Sequence, residues 1–216
     1  MAGGADQFNS FFKNKILTVR NNIDANINSV DAHKYDNAIG RDISLHEFVD
    51  VDNVSVRKLL LSCSSAFCSE IDVLPTTVIK ENVEIFATFM ECVINKSFRE
   101  CVFPDAFKRG ILLPKCKDPG KELENMSNYR PITNLRFLSK VVEKVVASQI
   151  SDYVELNELL PSVQSAYRRG HSVETALCKL YNDLLMYVDS GKMAIMVQLD
   201  QSCAFDVLDF SILLQR

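Results

Sequence analysis

An uncharged run, Met193-Ala194-Ile195-Met196-Val197-Gln198-Leu199, ends in the carboxylate of Asp200, and two more acids follow at Asp206 and Asp209. A carboxylate fixed at the end of a buried strand is one way to hold Mg²⁺ beside a phosphate. Phosphoryl transfer with two metals needs at least one further acid from elsewhere in the fold. The same pattern also fits an aspartate that caps a turn or a helix. Local spacing alone does not aim Asp206 or Asp209 at an ion shared with Asp200.

Two other groupings carry chemistry. Lys115 and Arg130 each sit in a short extended segment, Leu112-Leu113-Pro114-Lys115 and Asn128-Tyr129-Arg130-Pro131-Ile132, joined by a polar, glycine-containing loop. Paired as a hairpin, the segments could set an ammonium and a guanidinium over a triphosphate, the arginine contacting oxygens as a fork and the lysine as a point charge. They also read as exposed basic residues beside prolines. The third grouping is Gln164-Ser165-Ala166-Tyr167-Arg168-Arg169-Gly170-His171-Ser172. Tyr167 could stack on a base, Arg168 and Arg169 could meet phosphates, and Gly170 permits close backbone approach. His33, His46 and His171 are scattered without an acid–base partner, and there is no phosphate-cradling G-x-x-x-x-G-K or G-x-G-x-x-G loop, so hydrolase triads and nucleotide loops of those kinds gain no support.

The elements that must position these groups are mostly helical. Val83, Phe86, Phe89, Met90, Val93 and Ile94 have helical spacing and predict a helix over 80–96. Leu138 to Val154 predicts another over 138–156. Ser172 reads as the N-cap of a third, with Glu174 in its first turn and Gly191 placed to end it. Met193–Leu199 reads as a strand covered on both faces, because its apolar residues do not alternate. Asp209 to Arg216 reads as the first turns of a helix. Upstream, Phe8, Phe11, Phe12, Ile16 and Val19 mark a short helix, the pattern fades from Ile23 to Ile43, and residues 1–60 read as a linker-like segment.

Composition sets the frame. The chain has 216 residues, 47% of them hydrophobic and 24% charged, which is the make-up of a folded protein with a core. The expected class is α+β, mainly helical with a small sheet. Net charge is −4, yet residues 96–144 carry 11 Lys and Arg against 6 Asp and Glu. A local basic block is what phosphate contacts require. The seven cysteines include no C-x-x-C pair, which argues against a zinc ribbon or a disulfide framework and predicts reduced, mostly buried thiols in an intracellular protein, cytoplasmic or nuclear. No apolar run reaches the roughly 20 residues of a membrane span, and no secretory leader is evident at the start.

Read in order, Phe103-Pro104-Asp105-Ala106-Phe107-Lys108, Ile111-Leu112-Leu113-Pro114-Lys115, Ser127 to Leu135, Leu138-Ser139-Lys140-Val141-Val142-Glu143-Lys144, Gln164 to Glu174 and Leu199-Asp200-Gln201-Ser202-Cys203-Ala204-Phe205-Asp206 resemble the reverse transcriptase, the RNA-directed DNA polymerase, of LINE-type (non-LTR) retrotransposons. The resemblance runs from about Ser62 to the end, and Phe8-Asn9-Ser10-Phe11-Phe12 looks like the connector that follows the endonuclease in such polyproteins. It implies an incomplete right-hand polymerase domain over 61–216, with fingers over 61–192 and the first palm strand from 193. It implies Asp200 as a catalytic metal ligand and the Gln201 carbonyl as a further ligand. Phe205 would pack under the nucleotide sugar, Lys115 and Arg130 would hold the incoming triphosphate, and Arg168 and Gly170 would lie near template and nucleotide. Mg²⁺, an RNA template, a DNA primer and a dNTP follow as the parent's cofactor and partners.

The chain departs from the family at Gln201, where an aliphatic residue is usual, at Phe210, where histidine is usual, and at Ala166 and Arg169, where glycine and proline are common. The family's second carboxylate motif is an Asp-Asp pair, and no such pair occurs in the 216 residues. The expectation is therefore a fragment inactive by itself. Its rivals are a catalytically dead nucleic-acid-binding remnant and a helical protein-interaction module. The truncated palm is also expected to leave an apolar surface open to self-association.

Overall fold

The computed structural model describes residues 2–27, 44–65, 67–201 and 203–213. In chain order the regular elements are α1 (Ala2–Ile27), α2 (Asn53–Ser62), α3 (Thr76–Glu81), α4 (Val83–Glu100), β1 (Gly110–Cys116), β2 (Tyr129–Leu135), α5 (Phe137–Leu156), α6 (Val173–Asp189) and α7 (Phe210–Leu213). Helices with one small sheet make this a mixed α and β chain. It divides into two compact units, residues 41–162 and residues 1–40 with 163–216.

The 41–162 unit holds nearly all the buried apolar surface. Asp52 starts α2 by accepting the Ser55 N–H at 2.7 Å, and the helix buries Val56 and Leu60, one turn apart. Helix α4 buries Val83, Ala87, Met90 and Ile94 at helical spacing, and α5 buries Val141, Val142 and Val145. These faces share one core. The helix expected over 80–96 is present but differently bounded. Asn82 breaks it from α3 with a non-helical backbone, and α4 runs on to Glu100, where Cys101 turns left-handed at φ 54° and its N–H returns to Ser97 and Phe98.

Polar side chains tie the remaining chain to these helices. Asn95 on α4 accepts the Val51 N–H at 2.8 Å and donates to the Val51 carbonyl at 3.0 Å. Gln149 on α5 does the same for Val49, both bonds at 2.8 Å. Each amide stands in for a neighbouring strand and satisfies backbone that is otherwise irregular. Arg136 gives α5 no side-chain cap. Asp72 does so from 65 residues away, accepting the Phe137 N–H at 2.8 Å. Ser139, fully buried, donates to the Phe107 carbonyl at 3.0 Å. Since β2 ends two residues before α5 begins, these bonds also fix where the sheet leaves the core.

In the other unit, α1 is 26 residues long, not short, and Phe8, Phe11, Phe12, Ile16 and Val19 form its less exposed stripe. Most of the fading stretch, residues 28–43, lies outside the described residues. Helix α6 starts as expected at Ser172. The Ser172 hydroxyl accepts the Thr175 N–H, and the Thr175 hydroxyl accepts the Ser172 N–H at 2.8 Å. Gly191, at φ 75°, closes it with its N–H on the Val188 carbonyl at 2.9 Å.

Two expectations are corrected. Met193–Leu199 is not a strand and is not covered. It is irregular, and Met193, Ile195 and Leu199 are more than nine-tenths exposed. A strand exists only with a partner to complete its ladder, and among the described residues none pairs with this segment. The thiols are all free, but only Cys63 is buried; Cys92, Cys101 and Cys178 are exposed. Cys92 lies between the buried Met90 and Ile94 and therefore points away from the core.

Two outcomes are expected in denaturant unfolding. Leu60→Ala deletes a fully buried side chain and should cost about 2–5 kcal/mol. The Asp52 carboxyl is held below its ordinary value of 3.8 by the hydroxyl and N–H of Ser55. Its cap therefore stabilises above that ordinary value and is lost as pH falls through the lower folded one. Asp52→Asn should flatten the pH dependence of stability in that acid range.

Candidate functional site

The sheet is a single antiparallel hairpin, and its register sets Lys115 directly opposite Arg130, with Pro114 opposite Pro131. Opposed residues share a face, with Cβ atoms about 4.5–5.5 Å apart. Two cations are thus held side by side, both exposed. Among the described residues neither has a hydrogen bond or ion pair through its side chain. Like charges in this position repel, so the arrangement favours an anion that both can reach.

The loop between the strands is internally tied. Lys117 N–H reaches the Asn128 carbonyl at 2.8 Å, and its ammonium reaches the Ser127 carbonyl at 2.7 Å. The Tyr129 hydroxyl donates to the Leu123 carbonyl at 2.9 Å. At Gly110 the strands lie too close for a side chain: a Cβ there would stand 2.7 Å from Thr133 Cγ2 and 3.0 Å from the Asn134 carbonyl oxygen. The hairpin is therefore a built platform. The other basic residues of the 96–144 block are partly spent on structure, since Arg99 pairs with Asp50, Lys108 with Asp105 and Lys96 with Glu100.

In the second unit the structure brings together two residues chosen separately from the sequence. Tyr167 and Phe205 meet edge to face, with ring centroids 6.1 Å apart at 89°. Both rings are largely exposed. Each follows or carries an unusual turn: Tyr167 is left-handed at φ 57°, as is Cys203 at φ 58°. Non-glycine residues adopt this region at a cost, and such strain gathers at functional positions. Gly170, at φ 72°, has open space where a side chain would be. Arg168 reaches back to the Gln164 carbonyl at 3.5 Å, and His171 contacts the Arg169 carbonyl at 3.0 Å.

Asp200 and Gln201 lie exposed on the irregular segment. Asp209 is committed elsewhere. It pairs with Arg20 of α1 at 2.5 Å, while the same guanidinium donates to the Val207 carbonyl at 3.0 Å. This pairing, 189 residues apart, gave no local signal in the sequence, which placed Arg20 in a linker-like stretch. Asp209 raises the Arg20 pKa by its hydrogen bond. Among the described residues no three of His, Cys, Asp and Glu gather where they could hold a metal ion. One carboxylate and a backbone carbonyl are too few donors for Mg²⁺, so the described residues do not by themselves fit that ion. No helix among the described residues is long and apolar enough to cross a membrane.

Comparison with known proteins finds similar sequences for part of the chain. Over 118 residues the chain is homologous to RNA-directed DNA polymerases of mobile elements, the class that its ordered motifs resemble. In Drosophila melanogaster the probable RNA-directed DNA polymerase from transposon BS is 31% identical, that from transposon X-element 32%, and that from mobile element jockey 25%. Each match covers 55% of this chain and 13% of the relative. The resemblance to LINE-type reverse transcriptases is thus carried by similar sequence over about half of this chain, which spans only a small part of each relative's length. No family model matches, and no solved structure matches.

The Arg20 clamp has a direct test. Arg20→Met should leave the 41–162 core intact and speed limited proteolysis within 203–209, read by mass spectrometry of the cleavage products.

Proposed function

We propose that the chain is part of the polymerase domain of a LINE-type element, with residues 1–60 as connector, 61–192 as fingers and 193–216 as the opening of the palm. The observation that carries this reading is the cation pair at Lys115 and Arg130. An exposed ammonium and guanidinium opposed on one hairpin suit the triphosphate of a dNTP, which can accept from both. Phe205 would lie under the nucleotide sugar. Tyr167, Arg168 and Gly170 would contact the RNA template or its pairing partner, the DNA primer. Asp200 and the Gln201 carbonyl are the positions that match the parent's Mg²⁺ ligands, and among the described residues no further donors gather with them. The parent reaction is template-directed addition of a nucleotide to a primer 3′-OH.

A second reading, a nucleic-acid-binding piece without catalysis, is favoured by the basic block over 96–144, with 11 Lys and Arg against 6 Asp and Glu. The two readings share the prediction that the purified chain alone does not extend a primer. Incorporation of dNTPs above background would contradict both. They differ at the hairpin. In titration calorimetry with dATP, Lys115→Ala and Arg130→Ala should each weaken binding about ten- to a hundredfold, because a hydrogen bond to a charged group contributes about 1.5–3 kcal/mol. Arg130→Lys should recover part of the loss. If dATP binding survives the double substitution while RNA affinity falls and its salt slope drops by about 2, the hairpin binds nucleic acid backbone, not the nucleotide.

A further inference from the structure

Among the described residues the sheet that carries Lys115 and Arg130 is two-stranded, and a ribbon of that size does not fix its own attitude to the rest of the unit. The two cations stand five register pairs beyond its base, the Gly110–Leu135 pair. At the usual rise per residue that distance is about 17 Å, so a tilt of about 10° at the base carries both cations about 3 Å. A binding group has to be held to about 0.5 Å. Whatever sets the angle at the base therefore decides where the cations stand.

The base is held on both strands by the first turn of α5. A single residue, Arg136, separates β2 from Phe137, and its backbone (φ −57°, ψ 144°) makes the whole change from strand to helix. The N–H of Phe137 has no partner within the helix and goes to Asp72 Oδ1 at 2.8 Å. Asp72 is itself fixed. Its Oδ2 accepts the Cys68 N–H at 3.3 Å, and its own N–H goes to the Cys68 carbonyl at 2.8 Å. A carboxylate at this end of a helix also gains from the helix dipole. On the other strand, only Lys108 and Arg109 separate β1 from Phe107, whose carbonyl accepts from the buried Ser139 hydroxyl at 3.0 Å. Apolar packing around Phe107 and Phe137 is non-directional, whereas these bonds specify a direction.

We propose that Asp72 is a positioning residue for the anion contacts of Lys115 and Arg130. It fixes the start of α5 and, through Arg136, the angle of the hairpin, while Ser139 holds the other strand. The ligand in this inference rests on the triphosphate reading of the two cations; the pin rests on the bonds alone.

Two readouts on the full chain test it. Residual dipolar couplings of backbone amides compare the orientation of residues 110–116 and 129–135 with that of α4, and titration calorimetry follows dATP. In the unaltered chain one alignment should fit hairpin and helix together. Asp72→Ala should shrink the hairpin couplings relative to those of α4 and weaken dATP binding about tenfold, the order of one charged hydrogen bond. Asp72→Asn keeps a side-chain oxygen for the Phe137 N–H and should recover most of both. Leu60→Ala, which loosens the same core from α2, should change neither below its unfolding transition. If Asp72→Ala does not fold, Ser139→Ala is read in its place with the same expectation. Hairpin couplings that stay in step with α4, no recovery in Asp72→Asn, or an equal loss in Leu60→Ala would each overturn the proposal. An unaltered chain that binds no dATP would count against the triphosphate reading instead, and the couplings would still decide the pin.

Discussion

Backbone polar groups must be satisfied, and in a strand only another strand does so fully. Most of what distinguishes the parts of this chain follows from that constraint. Gly110–Cys116 and Tyr129–Leu135 find each other, and the ladder sets their register residue by residue. The register puts Lys115 against Arg130. Residues 44–52 find no strand, and Asn95 and Gln149 supply the missing donors and acceptors. Residues 193–199 find neither, and stay irregular.

The same constraint separates what the sequence made legible from what it did not. Helices satisfy their backbone locally, so their period is written in the residues they bury. Helix α5 over Phe137–Leu156 and α6 behind its Ser172 cap fall within a residue or two of where spacing puts them. The hairpin was legible because both of its strands are short, flanked by turn residues and close in sequence. The strand at 193–199 was misread because its apolar content describes a capacity to be buried, while burial depends on a partner that no local pattern reveals. The Arg20–Asp209 pair and the Asp72 cap on α5 failed to show for a related reason. Each joins residues far apart in sequence, and neither leaves a periodic trace.

Charge follows a similar division of labour. The basic block over 96–144 looked uniform by count, yet the structure spends its members differently. Arg99 anchors the 44–52 segment through Asp50, beside the stacked rings of Phe48 and Phe98, whose centroids are 5.0 Å apart. Lys117 closes the hairpin loop on itself. Only after these are set aside do Lys115 and Arg130 stand out. The hairpin accepts their mutual repulsion at opposed positions, where most pairs of residues would be less costly. That is a local conflict between stability and arrangement.

The two units differ in how firmly they hold their candidate groups. Among the described residues, every buried apolar side chain except Phe12 belongs to residues 41–162. Lys115 and Arg130 therefore stand on a hairpin that leads directly into a packed helix. Tyr167, Phe205 and Asp200 stand on turns and irregular chain, held mainly by an aromatic contact and by the Arg20 clamp on the 207–209 stretch. A group held in place before binding loses little freedom on binding, while one on loose chain must be ordered at a cost. Within residues 41–162 Lys115 and Arg130 are thus pre-organised, whereas in the other unit Tyr167, Asp200 and Phe205 would have to be ordered by whatever they bind.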